Sequence, residues 1–171
     1  KQVEVKDLLN LHKPISRQLI LTAQAMQGGE NLVRRCHKNN IPMALVTSSS
    51  TESFKIKTAP HEWMNLFTVI VLGDDKLLSK GKPAPDPYLL AAERLNIKPQ
   101  ECWAVEDSIS GLTSALDAGC FVFFLQENCS VVEKKEVFFK NKNFLSITHL
   151  KEIEQTLNEH QLIKSANYEF R

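Results

Sequence analysis

The feature that most constrains the fold of this chain is a regular alternation of short apolar runs with amphipathic segments. Four apolar runs and a weaker fifth read as strands, at residues 41–48, 66–75, 102–108, 121–126 and 143–147. The stronger runs are apolar on both faces, which is typical of parallel strands covered by helices on both sides. The alternation therefore predicts a doubly wound α/β fold with a parallel sheet and right-handed crossovers.

The amphipathic segments between these runs have recognisable helix ends. They span residues 29–40, 86–96 and 109–119. Asn39 and Asn40 are good terminators for the first helix. Asp86 suits the N-cap of the second, and Pro87 suits its first helical position. Gly119 follows the third helix, where a residue in the left-handed conformation is wanted. We therefore expect a helix in each of these three connections.

Composition excludes several classes of function. The 171 residues include 43% hydrophobic and 24% charged residues, which is a globular composition with room for a core. A formal charge of +1 gives no electrostatic case for nucleic acid or an anionic membrane as a partner. No apolar run approaches the roughly 20 residues of a membrane span. Four cysteines without a Cys-x-x-Cys pair predict buried free thiols and a reducing, cytoplasmic location.

Polar side chains gather where the predicted strands end. In sheets of this kind, ligands bind at the carboxyl ends of the strands, which lie along one edge. The first run ends in Thr47, Ser48 and Ser49, the second in Gly73, Asp74 and Asp75, and the third in Glu106, Asp107 and Ser108. Hydroxyls and carboxylates at one edge of the sheet predict a functional site there.

The row of hydroxyls after the first strand has two interpretations. Ser and Thr side chains satisfy free backbone N–H groups at the start of a helix, so the row can be a helix cap. Alternatively, the first hydroxyl, on Thr47, contacts a ligand at the strand end. The run alone does not separate the two.

The adjacent carboxylates of Glu106 and Asp107 also allow two interpretations. Two acids at the end of an apolar strand repel each other and lose solvent, and a bound Mg²⁺ would supply the missing positive charge. In the alternative, Glu106 points to solvent and Asp107 or Ser108 caps the following helix.

Lys82 lies in the segment "KGKPAPDPY", framed by prolines. Proline fixes its own φ and pushes the preceding residue into an extended conformation, so a lysine here can hold its ammonium in one place. Such a lysine is a natural partner for a phosphate or for clustered carboxylates. The alternative is a solvated loop lysine beside prolines that stop and start helices.

Taken in order, "ALVTSSS", "KGKPAPDPYLLAAERLNI" and "WAVEDSISGLTSALDAG" resemble the haloacid dehalogenase superfamily over roughly residues 26–126. These three motifs are most similar to those of the sugar-phosphatase and β-phosphoglucomutase branch, which includes pseudouridine-5'-phosphatases. The resemblance implies a Rossmann-like core and a Mg²⁺-dependent hydrolase that acts on a small phosphorylated metabolite, such as a sugar phosphate or a nucleoside monophosphate.

The resemblance also implies a role for each site residue. Thr47 would bind the transferring phosphoryl group, with Ser48 and Ser49 beside it. Lys82 would neutralise the nucleophile and the phosphoryl oxygens, as a catalytic and substrate-binding residue. Glu106 and Asp107 would hold Mg²⁺.

Three other functions stay open at this point. A phosphomutase needs the same core with a different cap domain. A non-catalytic pseudo-enzyme would bind phosphate or a protein partner. A flavodoxin-like receiver domain is disfavoured, because the acidic residues follow the wrong strands.

The chain departs from the family pattern at one point. The family's nucleophile lies in an Asp-x-Asp stretch that ends a first strand, and no such stretch occurs here. We therefore expect residues 1–25 to be the C-terminal remnant of a helical cap, and residues 26–171 to be a core that lacks its first strand. That strand would lie between the strands ending in Thr47 and Glu106, so two apolar edges would face a gap. On this interpretation an N-terminal segment of the native protein is missing, and the chain as given does not turn over phosphate esters by the family mechanism.

Overall fold

The computed structural model describes residues 24–126 and 143–168, together with Glu4, Gln18 and Leu19, and side chains as far as residue 159. The predicted cap remnant at residues 1–25 therefore lies almost wholly outside the described residues, as does Cys129.

Helices and short strands alternate along the described chain. The helices are α1 (Gly29–Lys38), α2 (Thr51–Thr58), α3 (Asp86–Leu95), α4 (Ile109–Ala118) and α5 (Lys151–Tyr168). The strands are β1 (Ala44–Val46), β2 (Val69–Val71), β3 (Trp103–Glu106), β4 (Phe121–Leu125) and β5 (Phe144–Ile147). Short 3₁₀ turns occupy Glu62–Leu66 and Pro99–Glu101. Every predicted strand is present in a shorter form, and helix α2 was indicated only by the interpretation of the hydroxyl row as a helix cap.

All strand pairings among the described residues are parallel. Strand β1 pairs with β2, with Leu45 opposite Ile70. Strands β3, β4 and β5 form a second sheet in that order. The parallel α/β architecture predicted from the alternation is therefore confirmed.

Helices cover both faces of the three-stranded sheet. Val122 and Phe124 of β4 belong to one apolar cluster with residues of α3 and α4. The intervening Phe123 belongs to a second cluster, with Leu32 of α1 and residues of α5. Neighbouring residues along β4 thus face opposite cores, which is why the run is apolar on both faces. The doubly wound arrangement follows directly from this pattern.

An apolar cleft lies between β1 and β3, which belong to separate sheets in the described structure. It encloses about 780 Å³ and is lined by Leu45 and Val46 from one side and by Ala104 and Val105 from the other. Helix α3 contacts β1, β2 and α4 and so joins the two sheets. Val105 is 43% exposed, an unusual exposure for a valine in a helix-covered parallel sheet. The exposed valine marks the cleft as an apolar surface without a described cover.

The helix ends follow the sequence with one exception. Gly119 has φ 96° and Asn40 has φ 54°, so both adopt the left-handed conformation expected of helix terminators. Asp86, however, is not the N-cap of α3. The helix already includes Asp86, and its carboxylate accepts a hydrogen bond of 3.2 Å from Lys80 N, in the loop before the helix. The prediction for Asp86 was wrong, because its carboxylate binds the loop before the helix, and Pro87 is the second helical residue and not the first.

Within the described ranges, no helix is at once long and apolar enough to cross a membrane. Cys36, Cys102 and Cys120 are free thiols. Burial raises the pKa of each, and it raises the pKa of Cys120 to about 11. The prediction of free thiols is therefore confirmed for the three described cysteines, and their high pKa makes them poor nucleophiles.

Candidate functional site

The loop after β1 is tied to the end of β2 by backbone hydrogen bonds. Thr47 N donates to Val71 O at 3.0 Å, and Gly73 N donates to Ser49 O at 2.9 Å. A Cβ atom on Gly73 would collide with the Ser48 carbonyl group, so a glycine permits this close approach. The loop that carries the hydroxyls is therefore fixed at the carboxyl edge of the sheet.

The hydroxyls in this loop have different partners. Ser50 Oγ accepts a hydrogen bond of 3.4 Å from Ser53 N and caps α2, so the cap interpretation is confirmed for Ser50. Thr47 Oγ1 accepts from Ser49 N at 3.1 Å, and Ser49 Oγ accepts from Lys57 Nζ at 3.0 Å. Neither Thr47 nor Ser49 caps the helix, and the exposed Ser48 follows directly on Thr47.

The amino end of α2 is also held by Asp74. The Asp74 carboxylate accepts from Thr51 N at 2.9 Å and from Thr51 Oγ1 at 3.0 Å. These hydrogen bonds, above all the backbone one, lower the pKa of Asp74. Asp74 therefore has a structural role at the start of α2.

Lys82 lies at the same edge and is nearly buried. Its ammonium donates to Val46 O at 3.2 Å and forms an ion pair with Glu106 Oε1. The Lys82 and Glu106 side chains are 9% and 6% exposed. The interpretation of Lys82 as a solvated loop lysine is therefore wrong. Ser114 Oγ of α4 donates to Ala84 O and anchors the proline-rich loop that carries this lysine.

Glu106 does not point to solvent. Its Oε1 accepts from Lys82 Nζ and from the Tyr88 hydroxyl. Lysine supplies the counter-charge that this buried carboxylate requires. The prediction that Ser108 can cap the following helix is confirmed. Its Oγ accepts a hydrogen bond of 3.0 Å from Gly111 N at the start of α4.

Sequence reasoning missed Tyr88. Its hydroxyl donates to Glu106 Oε1, and the Lys82 ammonium lies 5.1 Å from the centre of its ring. Burial, and then the negative charge of Glu106, raise the pKa of Tyr88 well above its usual range, so the hydroxyl keeps its proton. One signal was available: a tyrosine on the apolar face of a helix usually finds a partner for its hydroxyl when it is buried.

Gly111 was missed as well. A Cβ atom at this position would collide with the carboxylate of Glu106, so the first turn of α4 leaves room for that side chain. The available signal was a glycine inside a helical pattern, which often has a packing reason.

Two carboxylates at the end of β3 are the candidate ligands for Mg²⁺. Glu106 and the exposed Asp107 offer the carboxylate oxygens that Mg²⁺ prefers, but Glu106 Oε1 is already engaged by two donors. Among the described residues, no group of three or more His, Cys, Asp and Glu side chains could hold a metal. The donors fit Mg²⁺ in kind, and they leave most coordination positions for water, for phosphate oxygens and for groups outside the described residues.

The predicted residues are thus brought together unequally. Lys82 and Glu106 are in direct contact, and the Lys82 ammonium also reaches the residue before Thr47. Asp107 follows Glu106 but is exposed, and Ser48 is exposed on the loop. The chemical roles of the six predicted site residues remain predictions: Thr47, Ser48, Ser49, Lys82, Glu106 and Asp107.

Comparison with known proteins identifies related chains. The family model of "haloacid dehalogenase-like hydrolase" matches residues 4–119. The chain is 42% identical over 113 residues to "Probable pseudouridine-5'-phosphatase" of Drosophila melanogaster, covering 64% of this chain and 49% of that protein. It is 33% identical over 129 residues to "(DL)-glycerol-3-phosphatase 2" of Arabidopsis thaliana, covering 73% and 54%. The chain spans about half the length of these curated relatives.

Solved structures share the fold. A HAD hydrolase, family IA, variant 3 from Entamoeba histolytica superposes with a TM-score of 0.71 at 28% identity, covering 89% of this chain and 69% of that one. The similarity therefore extends beyond the segment that the family model matches.

Proposed function

Because this chain belongs to the haloacid dehalogenase-like hydrolase family, we propose that it forms the core of a Mg²⁺-dependent phosphatase of small phosphorylated metabolites. The observation that carries the proposal is the buried contact of Lys82 with Glu106 at the carboxyl edge of the strands, beside Thr47. The names of its relatives support this class, since the Drosophila relative is named for a nucleoside monophosphate and the Arabidopsis relative for glycerol phosphate.

The hydroxyl and ammonium groups of the site would have different roles at the phosphoryl group. The Thr47 hydroxyl and the Ser48 backbone N–H would donate to the phosphoryl oxygens, with Ser49 adjacent. The Lys82 ammonium would neutralise the charge that develops during transfer. Catalysis of phosphoryl transfer depends largely on such positioning and electrostatic stabilisation.

Glu106 and Asp107 would hold the metal, which would neutralise phosphoryl charge when it is bound. Of the two, Asp107 is the exposed acid and has no hydrogen bond or ion pair within the described structure. We assign it the more direct metal contact, with Glu106 fixed behind it by Lys82.

We place the nucleophile on an aspartate of an Asp-x-Asp stretch, which does not occur in these 171 residues. In this proposal, a parallel strand that ends in Asp-x-Asp fills the cleft between β1 and β3. The apolar lining of the cleft and the exposed Val105 support it. Lys82, which contacts both Val46 and Glu106 at the ends of these strands, would lie beside the arriving carboxylate. The division into a cap remnant at residues 1–25 and a core at residues 26–171 belongs to the same proposal.

The experiment is phosphate release with Mg²⁺ from p-nitrophenyl phosphate, pseudouridine 5'-phosphate and glycerol 3-phosphate. It compares this chain alone with the chain supplied with an N-terminal strand that ends in Asp-x-Asp. We expect release only from the complemented protein and a loss of at least about 100-fold in its Asp107→Asn variant, since a metal-bound phosphoryl group loses several kcal/mol of charge stabilisation. Glu62→Gln, which neutralises an exposed acid outside the site, is the matched control.

Two results would overturn the phosphatase proposal. If the complemented protein binds phosphate but releases none from any substrate, the chain is a non-catalytic phosphate-binding module. If Asp107→Asn and Glu62→Gln behave alike, Asp107 has no role in the metal site.

A reducing, cytoplasmic location also stays a prediction. The free thiols of the buried Cys120 and of the half-buried Cys36 and Cys102 support it.

A further inference from the structure

Tyr88 is the buried polar group at this site that none of the roles above uses. It is 9% exposed and lies on α3, which contacts β1 and β2 and reaches Glu106 of β3 through the Tyr88 hydroxyl. Its ring belongs to the same apolar cluster as Ala104, Leu112 and Phe124. Packing alone explains an aromatic ring at this position, and a phenylalanine ring would fill the same space. The hydroxyl requires a separate reason.

The Tyr88 hydroxyl and the Lys82 ammonium share one hydrogen-bond acceptor. Glu106 Oε1 accepts from both Tyr88 and Lys82, so two donors converge on one carboxylate oxygen. The second oxygen, Oε2, lies where a Cβ atom on Gly111 would be. Oε1 is therefore held by two donors, while Oε2 occupies the space that a side chain at position 111 would fill.

The ring of Tyr88 constrains the lysine as well. The Lys82 ammonium lies 5.1 Å from the ring centre, within the range of a cation–π contact. Its other described partner is Val46 O at 3.2 Å. Carboxylate, carbonyl group and aromatic face thus surround the ammonium, and Tyr88 acts on both members of the ion pair.

We propose that Tyr88 is a positioning residue for the phosphate site, with its hydroxyl orienting Glu106 and its ring facing Lys82, so that the ammonium stays at the carboxyl edge of the strands. That this positioning matters for phosphate binding rests on the proposed function. The orientation of the Lys82–Glu106 ion pair by Tyr88 does not. A tyrosine hydroxyl has the O–H donor that this role requires.

The Tyr88→Phe variant separates positioning from packing, because it keeps the ring and removes the hydroxyl. The first measurement is the hydrogen-exchange rate of the Lys82 ammonium, followed by ¹H–¹⁵N NMR and assigned by the loss of the signal in Lys82→Arg. A buried, paired ammonium gives a slowly exchanging signal. We expect exchange to be about five-fold faster in Tyr88→Phe, the effect of one lost hydrogen bond.

Ile153→Val is the control. Ile153 is buried in the cluster on the other face of the sheet, so its truncation lowers stability without touching the ion pair. Faster exchange in Tyr88→Phe but not in Ile153→Val supports the positioning role. An unchanged or slower rate in Tyr88→Phe overturns it, as would a wild-type ammonium too mobile to give a signal.

A second measurement distinguishes failure of this inference from failure of the proposed function. Inorganic phosphate is titrated with Mg²⁺ into wild-type and Tyr88→Phe protein. Weaker phosphate binding in Tyr88→Phe, with Ile153→Val unchanged, supports the role in the site. If wild type binds no phosphate while the exchange difference persists, the phosphate site is refuted and the orientation of the ion pair by Tyr88 stands. If Tyr88→Phe binds phosphate as tightly as wild type does, the positioning of the phosphate site is refuted.

Discussion

Glu106 and Lys82 depend on each other because both are nearly buried. Removal of one member leaves a buried charge without a partner, which costs far more than an exposed ion pair contributes. We predict that Lys82→Met lowers the free energy of unfolding by about 3–5 kcal/mol, measured by urea denaturation. Adding Glu106→Gln should restore much of this loss, since the charge left behind is removed. A double variant that loses the sum of both single effects would contradict this dependence.

Replacing Gly111 with alanine has two opposing effects on stability, and the sign of the net change shows which is larger. Alanine is favoured over glycine in a helix by about 1 kcal/mol. At this position, however, the added methyl group meets the buried Glu106 carboxylate, and overpacking of that kind costs about 1–3 kcal/mol. We therefore expect Gly111→Ala to lower the thermal unfolding midpoint. Gly81→Ala has nothing within 4 Å and should change stability by less than about 0.5 kcal/mol. A stabilised Gly111→Ala variant would show that Glu106 is not held where the structure has it.

At the residue scale, the sequence indicated which polar residues lie at the carboxyl edge of the strands, but not all of their partners. Lys82 and Glu106 could be selected because a carboxylate that ends an apolar strand needs a positive partner, and a lysine framed by prolines can supply one. Hydroxyls at strand ends are a weaker signal, since Ser50 and Ser108 cap helices. The Tyr88 contact could not be predicted, because it depends on how α3 packs across the end of β3. A sequence pattern specifies which face of α3 is buried and leaves open which atom meets the hydroxyl.

Helix α3 is the element that holds the smaller sheet in place. Arg94 near its carboxyl end donates to Ile70 O at 3.1 Å and forms a two-point ion pair with Asp75, at 2.6 Å and 3.0 Å. Asp75 follows β2, so this pair joins the helix to the strand end. The Arg94 hydrogen bonds lower the pKa of Asp75.

The lowered pKa determines how Asp75 affects stability with pH. A carboxyl group whose pKa is lower in the folded state stabilises the fold above its unfolded pKa of about 3.9, and the effect disappears as pH falls through the folded value. We expect Asp75→Asn to be less stable than wild type at pH 7, by under about 1 kcal/mol because the pair is partly exposed. In urea titrations the difference should shrink steadily below pH 4. An equal difference at pH 7 and pH 3 would assign the effect to packing.

Elements differ in how far the sequence predicted them. Helices α1, α3 and α4 have an apolar face and recognisable ends, so periodicity found them. Helix α2 has no buried residue and depends on the Ser50 cap and on Asp74, which is distant in sequence. Periodicity has no signal for a helix of that kind, because its stability comes from contacts at its end.

At the scale of the whole molecule, burial is uneven between the two sheets. In β4, Val122, Phe123 and Phe124 are 0% exposed, and the strand is paired on both sides. Every residue of β1 is only partly buried, and its described pairing is with β2 alone. We predict that native-state amide hydrogen exchange is slowest in β4 and faster in β1 by at least about ten-fold, since local opening is cheaper where fewer apolar contacts are lost. Equal protection of both strands would mean that the two sheets open as one unit.

The doubly wound fold was predictable because apolar residues on both faces of a strand leave few alternatives. The separation into two sheets has a different origin. A cleft between Leu45 and Ala104 separates them, and the sequence indicated such a gap only because no Asp-x-Asp stretch occurs in its 171 residues. The cleft also explains why Val105, apolar and in the middle of a strand, is exposed.

The most direct test of the central claim, that the carboxyl edge around Thr47 and Lys82 binds a phosphoryl group, is a titration of inorganic phosphate with Mg²⁺ followed by backbone amide NMR. We predict saturable shifts at Thr47, Ser48 and Ser49, with affinity lowered about five-fold in Thr47→Val. Thr58→Val, which removes a hydroxyl that donates to Phe54 O away from the site, should bind as wild type does. Shifts that spare this loop, or equal affinity in both variants, would contradict the claim.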